Sequence, residues 1–153
     1  MATVLALVSP VAFVAIWLLT TGLISMIGGW HSLADRYAAP DGFEIAPDQR
    51  FRFRSIVLRR LPWFPARYRG CVTVSLITAG CHLAVLVVFR YRHPPLLIPW
   101  SAITSCEDGS FLGLRWTDVA VRDADPVIRI YAGAGAAVAA EWRRLGPSGD
   151  ARR

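Results

Sequence analysis

Between residues 49 and 106 the chain holds nine arginines and no acid. Seven of them, Arg50, Arg52, Arg54, Arg59, Arg60, Arg67 and Arg69, fall in one run interleaved with Phe51, Phe53, Trp63, Phe64 and Tyr68. A guanidinium is permanently charged and offers a planar fork of donors that matches phosphate and carboxylate oxygens. The chemistry of such a run is anion recognition. Nucleic acid is one partner, with bases stacked on the rings and phosphates on the arginines. Anionic lipid is another, each basic residue near the surface contributing about 1 kcal/mol of attraction. A plain structural use also exists, because basic residues after a membrane span fix its topology and arginines on an exposed strand edge resist aggregation.

Other reactive side chains form weaker patterns. Cys71, Cys81, His82, His93 and Cys106 include neither a C-x-x-C nor an H-x-x-x-H pair, and a hairpin would hold Cys71 and Cys81 roughly 20 Å apart at strand rise. Ser101, Ser105 and Ser110 lack a nucleophile elbow, and Glu107 and Asp108 precede Gly109 in what reads as a turn. Gly133 and Gly135 follow the strand-like run Val127–Ala132 as in a dinucleotide loop, but Val138 stands at the third glycine and only fifteen residues remain. A tight strand-to-helix turn is the simpler reading. No metal, cofactor or catalytic constellation is expected, and an enzyme of unknown class ranks third among the functions.

These residues need elements to position them. The chain has 153 residues, room for one modest domain and an accessory segment, and its 54% hydrophobic share exceeds what a soluble domain requires. No charged side chain occurs before His31, and Val11–Gly29 is an apolar run about as long as the roughly 20 residues that cross a bilayer. This segment is expected to be a transmembrane helix with Pro10 at or near its first turn. A cleaved signal peptide is a minority alternative, resting on the small residues Ser32 and Ala34. Trp30, Leu33, Ala34 and Tyr37 recur at helical spacing, so the helix should continue for two turns with Trp30 and Tyr37 at headgroup depth, joined there by Trp63, Phe64 and Tyr68. The segments are then 1–37 for the helix and its interfacial extension, 38–49 for a linker, 50–146 for a β domain and 147–153 for a disordered tail.

Within the domain, Arg50–Leu58 reads as a half-buried strand and Arg59–Tyr68 as a basic aromatic loop. Cys71–Thr78 and Cys81–Phe89 read as a hairpin around Ala79-Gly80, pairing Val74 with Val85 and Leu76 with Leu83, so that Val72, Val74, Leu76, Leu83, Val85, Val87 and Phe89 form an apolar face. Pro99 makes Pro94–Ile103 an edge strand. Strands follow at Phe111–Trp116, Asp118–Arg122 and Val127–Ala132, then a helix at Ala134–Leu145 with Val138, Trp142 and Leu145 on one stripe.

About six short strands closed by one amphipathic helix suit a small barrel. The run Ile98-Pro99-Trp100-Ser101-Ala102-Ile103, with the upstream hairpin Thr78–Val85 and the terminal helix, resembles the bacterial pleckstrin-homology-like (GRAM-like) domains. That resemblance implies a mainly β fold, an N-terminal transmembrane helix followed by a pleckstrin-like barrel or sheet closed by the helix. It also implies a binding or scaffolding module. A membrane tether makes nucleic acid the poorer partner, and the arginines are expected to contact anionic headgroups. A protein-interaction adaptor using the exposed edge Pro94–Ile103 is the alternative. The acid-free window and an odd set of cysteines both favour a bacterial inner-membrane protein with its domain in the cytoplasm.

Overall fold

The computed structural model describes residues 2–40, 48–61 and 63–145, with side chains in the first helix from Pro10. Helix α1 (Ala2–Gly28) has Pro10 in its interior rather than at its start, because the apolar residues before Pro10 are helical too. A proline is tolerated inside a helix whose surroundings are lipid or packed side chains. Pro10–Gly28 is long and apolar enough to cross a membrane. Gly29 ends the helix in the left-handed region, φ 89°, with Pro126 only 3.0 Å from where a Cβ would stand. The chain bends there into α2 (Trp30–Tyr37).

Seven antiparallel strands follow: β1 (Gln49–Leu61), β2 (Phe64–Ile77), β3 (Gly80–Val85), β4 (Leu96–Pro99), β5 (Ile103–Phe111), β6 (Leu114–Val121) and β7 (Val127–Tyr131), before α3 (Ala132–Leu145). They form one sheet in the order β4-β3-β2-β1-β7-β6-β5. The edge strands β4 and β5 are joined by only the 3-10 turn Trp100–Ala102. Three residues span roughly 10 Å at most, so the sheet has to curl until the end of β4 comes near the start of β5. The long strand β1 takes the bend, with register shifts on either side of Arg54 and a positive φ at Phe53. The structure is therefore mainly β, a curled half-barrel with a C-terminal helix.

The concave side is the core. Ile56, Leu58, Val72, Val74, Leu83, Leu96, Ile98, Ile128 and Ile130 are buried there, and Val138 of α3 plugs the open end. Leu145 remains exposed, so the helix stripe ends at Trp142, whose Nε1–H donates to the Ile103 carbonyl at 3.0 Å. Trp30 and Leu33 are fully buried in this same core. The i, i+3, i+4 stripe of α2 thus faces the β domain and not the headgroups, which makes α2 part of the domain.

Several local expectations change. The β2–β3 loop is Thr78-Ala79: Ile77 pairs with Gly80 and Val74 with Leu83, two places from the expected register. A two-place slip preserves side-chain parity, so Val72, Val74, Leu76, Leu83 and Val85 still point inward. Val87 and Phe89, however, leave the strand for a 3-10 turn, Val87–Phe89. The stretch Arg59–Tyr68 is not a loop but the ends of β1 and β2, with Leu61 paired to Phe64. Glu107 and Asp108 lie inside β5, opposite Asp118 and Thr117, and the turn comes later at Leu112-Gly113. The expected tail 147–153 and most of the expected linker lie outside the described residues.

Candidate functional site

The convex face of β1, β2 and β3 carries a cross-strand row of Arg50, Ser75 and His82, flanked by Thr73 and Ala84. Strand alternation puts these polar residues opposite the core face. Arg52 from the bent part of β1 and Arg90 from the end of the 3-10 turn complete a pocket of about 330 Å³. No ion pair among the described residues involves Arg50, Arg52 or Arg90. His82 is buried in the floor, and its Nδ1 has no hydrogen-bond partner among the described residues. Burial, then the charges of Arg50 and Arg90, push its pKa down to about 4. A neutral imidazole, two hydroxyls and three guanidiniums make a site of positive potential that an anionic oxygen would relieve.

The other arginines are distributed more widely. Arg54 is half-buried with its guanidinium 5.7 Å from the Phe51 ring centre, a cation–π geometry. Arg59 lies 3.5 Å from Asp118, a carboxylate that Arg129 also grips through two hydrogen bonds of 2.7 Å. Arg60 donates to the Met26 carbonyl at the end of α1 and stands 3.9 Å from Asp125. Arg67 and Arg69 are exposed along β2. Of the seven arginines in the run, only Arg50 and Arg52 meet in the pocket.

The five rings expected at the membrane surface also separate. Trp63 and Phe64 are exposed at the β1–β2 turn. Tyr37 is half-buried and donates its hydroxyl to the Arg122 carbonyl at 2.8 Å. Trp30 and Tyr68 are buried. The indole Nε1–H donates to the Pro94 carbonyl at 3.0 Å, and its ring lies 5.3 Å from that of Tyr68 and 5.5 Å from that of His93. His93 Nδ1–H donates to the Tyr91 carbonyl at 3.0 Å, leaving Nε2 to accept from the Tyr68 hydroxyl at 3.0 Å. Burial raises the Tyr68 pKa and lowers that of His93, so both groups are neutral here. These rings fasten α2 to the sheet.

Arg90, Thr73, Ser75 and His82 complete the site that the arginine run only half supplies. Their signal was the mixed polar face of the hairpin together with the basic turn Arg90–His93, which periodicity alone does not connect to Arg50.

The remaining reactive groups are engaged structurally. Burial lifts the Cys81 and Cys106 thiols to about 12, far from the thiolate form. No cluster of three His, Cys, Asp or Glu side chains that could hold a metal ion occurs among the described residues. Gly135 is required by packing, since a Cβ there would stand 2.5 Å from the Ile130 carbonyl oxygen, which accounts for the glycine at the strand-to-helix junction. The groove between the β5–β6 hairpin and α3 is larger, about 630 Å³. Asp108 inside it already accepts from Thr117 at 2.7 Å and from Arg143 at 2.9 Å. The β4 edge is partly used by the chain itself: Ala38 bridges Leu96, and the Ala39 N–H donates to Pro95.

No family model, curated protein or solved structure matches this chain.

Proposed function

We propose that the chain is a single-pass membrane-anchored binding module whose pleckstrin-like β domain holds an anionic lipid headgroup in the Arg50–Arg52–Arg90 pocket. The observation that carries this reading is the convergence of three arginines, unpaired among the described residues, over the buried His82 and Ser75. Element order supports the pleckstrin-like assignment, seven antiparallel strands closed by a C-terminal helix. Basic residues gathered at one end of α1 support placing the chain in a bacterial inner membrane with the domain in the cytoplasm. In the sequence the basic window starts about twenty residues after the helix, whereas folding brings Arg60 onto Met26 and the Arg92 backbone onto Ser25. Positive charge retained on the cytoplasmic side is the usual topogenic rule. The negative surface potential of that leaflet then supplies the ligand.

His82 reports occupancy. A phosphate placed within about 5 Å of the imidazole, at an effective dielectric of about 20, favours the imidazolium enough to raise its pKa by one unit or more. The experiment is an NMR titration of the histidines in the full-length chain in nanodiscs, neutral phosphatidylcholine against a mixture containing phosphatidylglycerol. The His82 midpoint should rise from about 4 in the anionic discs only, and Arg50→Ala with Arg90→Ala should abolish the response to lipid charge. An unchanged midpoint in both lipids would refute headgroup binding at this site.

A further inference from the structure

The 3-10 turn between β3 and β4 is, with the β5–β6 turn at Phe111–Leu114, one of the exposed apolar features of the domain. Val87 and Val88 are 73% and 65% exposed, Leu86 and Tyr91 are exposed beside them, and Leu86–Phe89 carries no charge. This turn lies against the apolar helix. The Phe89 ring stacks on that of Trp17, with centres 5.2 Å apart and an interplanar angle of 29°. Closer to the helix end, Ser25 Oγ donates to the Arg92 carbonyl at 2.5 Å, and the Arg92 Cδ lies 3.2 Å from where a Gly22 Cβ would stand.

We infer that residues 86–89 penetrate the leaflet on the domain side, alongside α1, with acyl chains as their covering. Helix geometry fixes the depth. The 27 residues of α1 measure about 40 Å, roughly 10 Å more than a hydrocarbon core, so one end projects beyond it, and the polar contacts made at Gly22 and Ser25 put that excess at the C-terminal end. The Arg92 contacts at Gly22 and Ser25 mark the polar boundary, because that guanidinium keeps to the headgroups. Trp17 precedes Gly22 by five residues, about 7.5 Å deeper along the axis. Phe89, stacked on Trp17, therefore sits within the roughly 5–10 Å range at which interfacial apolar segments bury.

The backbone is suited to that position. The Phe89 amide donates to the Leu86 carbonyl at 2.8 Å and the Arg90 amide to the Val87 carbonyl at 3.1 Å, so these donors enter lipid already satisfied. The sequence of the turn is ordered by depth, apolar through Phe89 and then Arg90 and Arg92 at the phosphates. Arg90 also lines the basic pocket, so insertion would bring that pocket to headgroup level. This inference rests on the membrane-anchored reading but not on the headgroup charge.

The test uses the unmodified full-length chain with isotope-labelled methyls in neutral phosphatidylcholine nanodiscs. Methyl relaxation at Val87 and Val88 is compared between a lipid nitroxide on an upper acyl carbon and a water-soluble gadolinium chelate. The acyl nitroxide should relax these methyls at least about threefold more than the chelate. Stronger relaxation by the chelate would place the turn in water and overturn the proposal. Protection from both probes would mean a protein covering, such as a second copy, and would overturn it equally. Neutral lipid keeps the outcome separate from the His82 titration: an inserted turn with an unresponsive His82 would sink headgroup binding alone.

Discussion

Replacing Trp30 separates a membrane-surface tryptophan from a core tryptophan. Trp30 is completely buried, touches Tyr68 and His93, and donates to the Pro94 carbonyl. Trp30→Ala removes a large buried ring and leaves a cavity against Tyr68 of β2 and His93 in the segment before β4, a change that costs about 3–5 kcal/mol in well-packed cores. The Pro94 carbonyl also loses its donor, adding about 1–2 kcal/mol unless water reaches it. Trp30→Phe keeps most of the ring and should expose the second contribution nearly alone. Small domains have total stabilities of about 5–15 kcal/mol, so the alanine variant stands near the unfolding threshold while the phenylalanine variant stays folded. The assay is urea unfolding of the full-length chain in lipid nanodiscs, followed by near-ultraviolet circular dichroism of the domain. A stability loss below about 1 kcal/mol for Trp30→Ala would refute the assignment of α2 to the domain core, since a tryptophan at the headgroups contributes to anchoring and leaves the fold of the β domain unaffected.

Acid should weaken the domain before its carboxylates titrate. His82 is held down to about 4 and His93 is also lowered by burial. Their contribution is fully present above the ordinary histidine value of about 6.5 and declines as pH falls below it, with a slope of at most about 1.4 kcal/mol per pH unit for each group. Unfolding midpoints measured from pH 7 to pH 4 should fall monotonically, and a His93→Phe variant should show a shallower decline. At the helix base, a Cβ on residue 28 would stand 2.5 Å from the Ala66 Cβ. Gly28→Ala should destabilise by about 1–3 kcal/mol, and Ala66→Gly in the same chain should recover part of that loss, measured as a double-mutant cycle in denaturant.

The sequence was most readable where one period had one explanation. The alternation in Val72–Leu76 and Leu83–Val85 gave the correct inward face even though the register was off by two places. Gly80 misled because it looked like a turn residue. In fact a Cβ there would stand 2.2 Å from the Ile98 carbonyl oxygen, so the glycine admits the backbone of β4 and the turn lies before it. The α2 stripe was also legible as a stripe, but its partner was not. Apolar side chains just past a membrane span fit lipid or protein equally well, and only the arrival of Tyr68 and His93 from distant positions decides between them. Asp108 was assigned to a turn because it precedes Gly109. It is stable in β5 because Thr117 opposite it and Arg143 on α3 both donate to its carboxylate. For the site, Arg50 and Arg52 were visible as part of a basic run, but seven arginines looked equivalent. What distinguishes these two is the bend in β1 and the return of Arg90 beside them, both products of long-range folding.

The sheet order also sets a schedule for biosynthesis. β1 pairs on one side with its immediate successor and on the other with β7, matching Ile56 to Ile130 and Arg59 to Val127. Between 68 and 74 residues separate these partners, so at about 5–20 residues per second β1 has an unpaired edge for roughly 4–14 s after it leaves the ribosome. Throughout that interval the edge carrying Ile56 and Leu58 is open to other nascent chains. Completion of the sheet waits for the last strand, which makes the rate of folding a property of the C-terminal third.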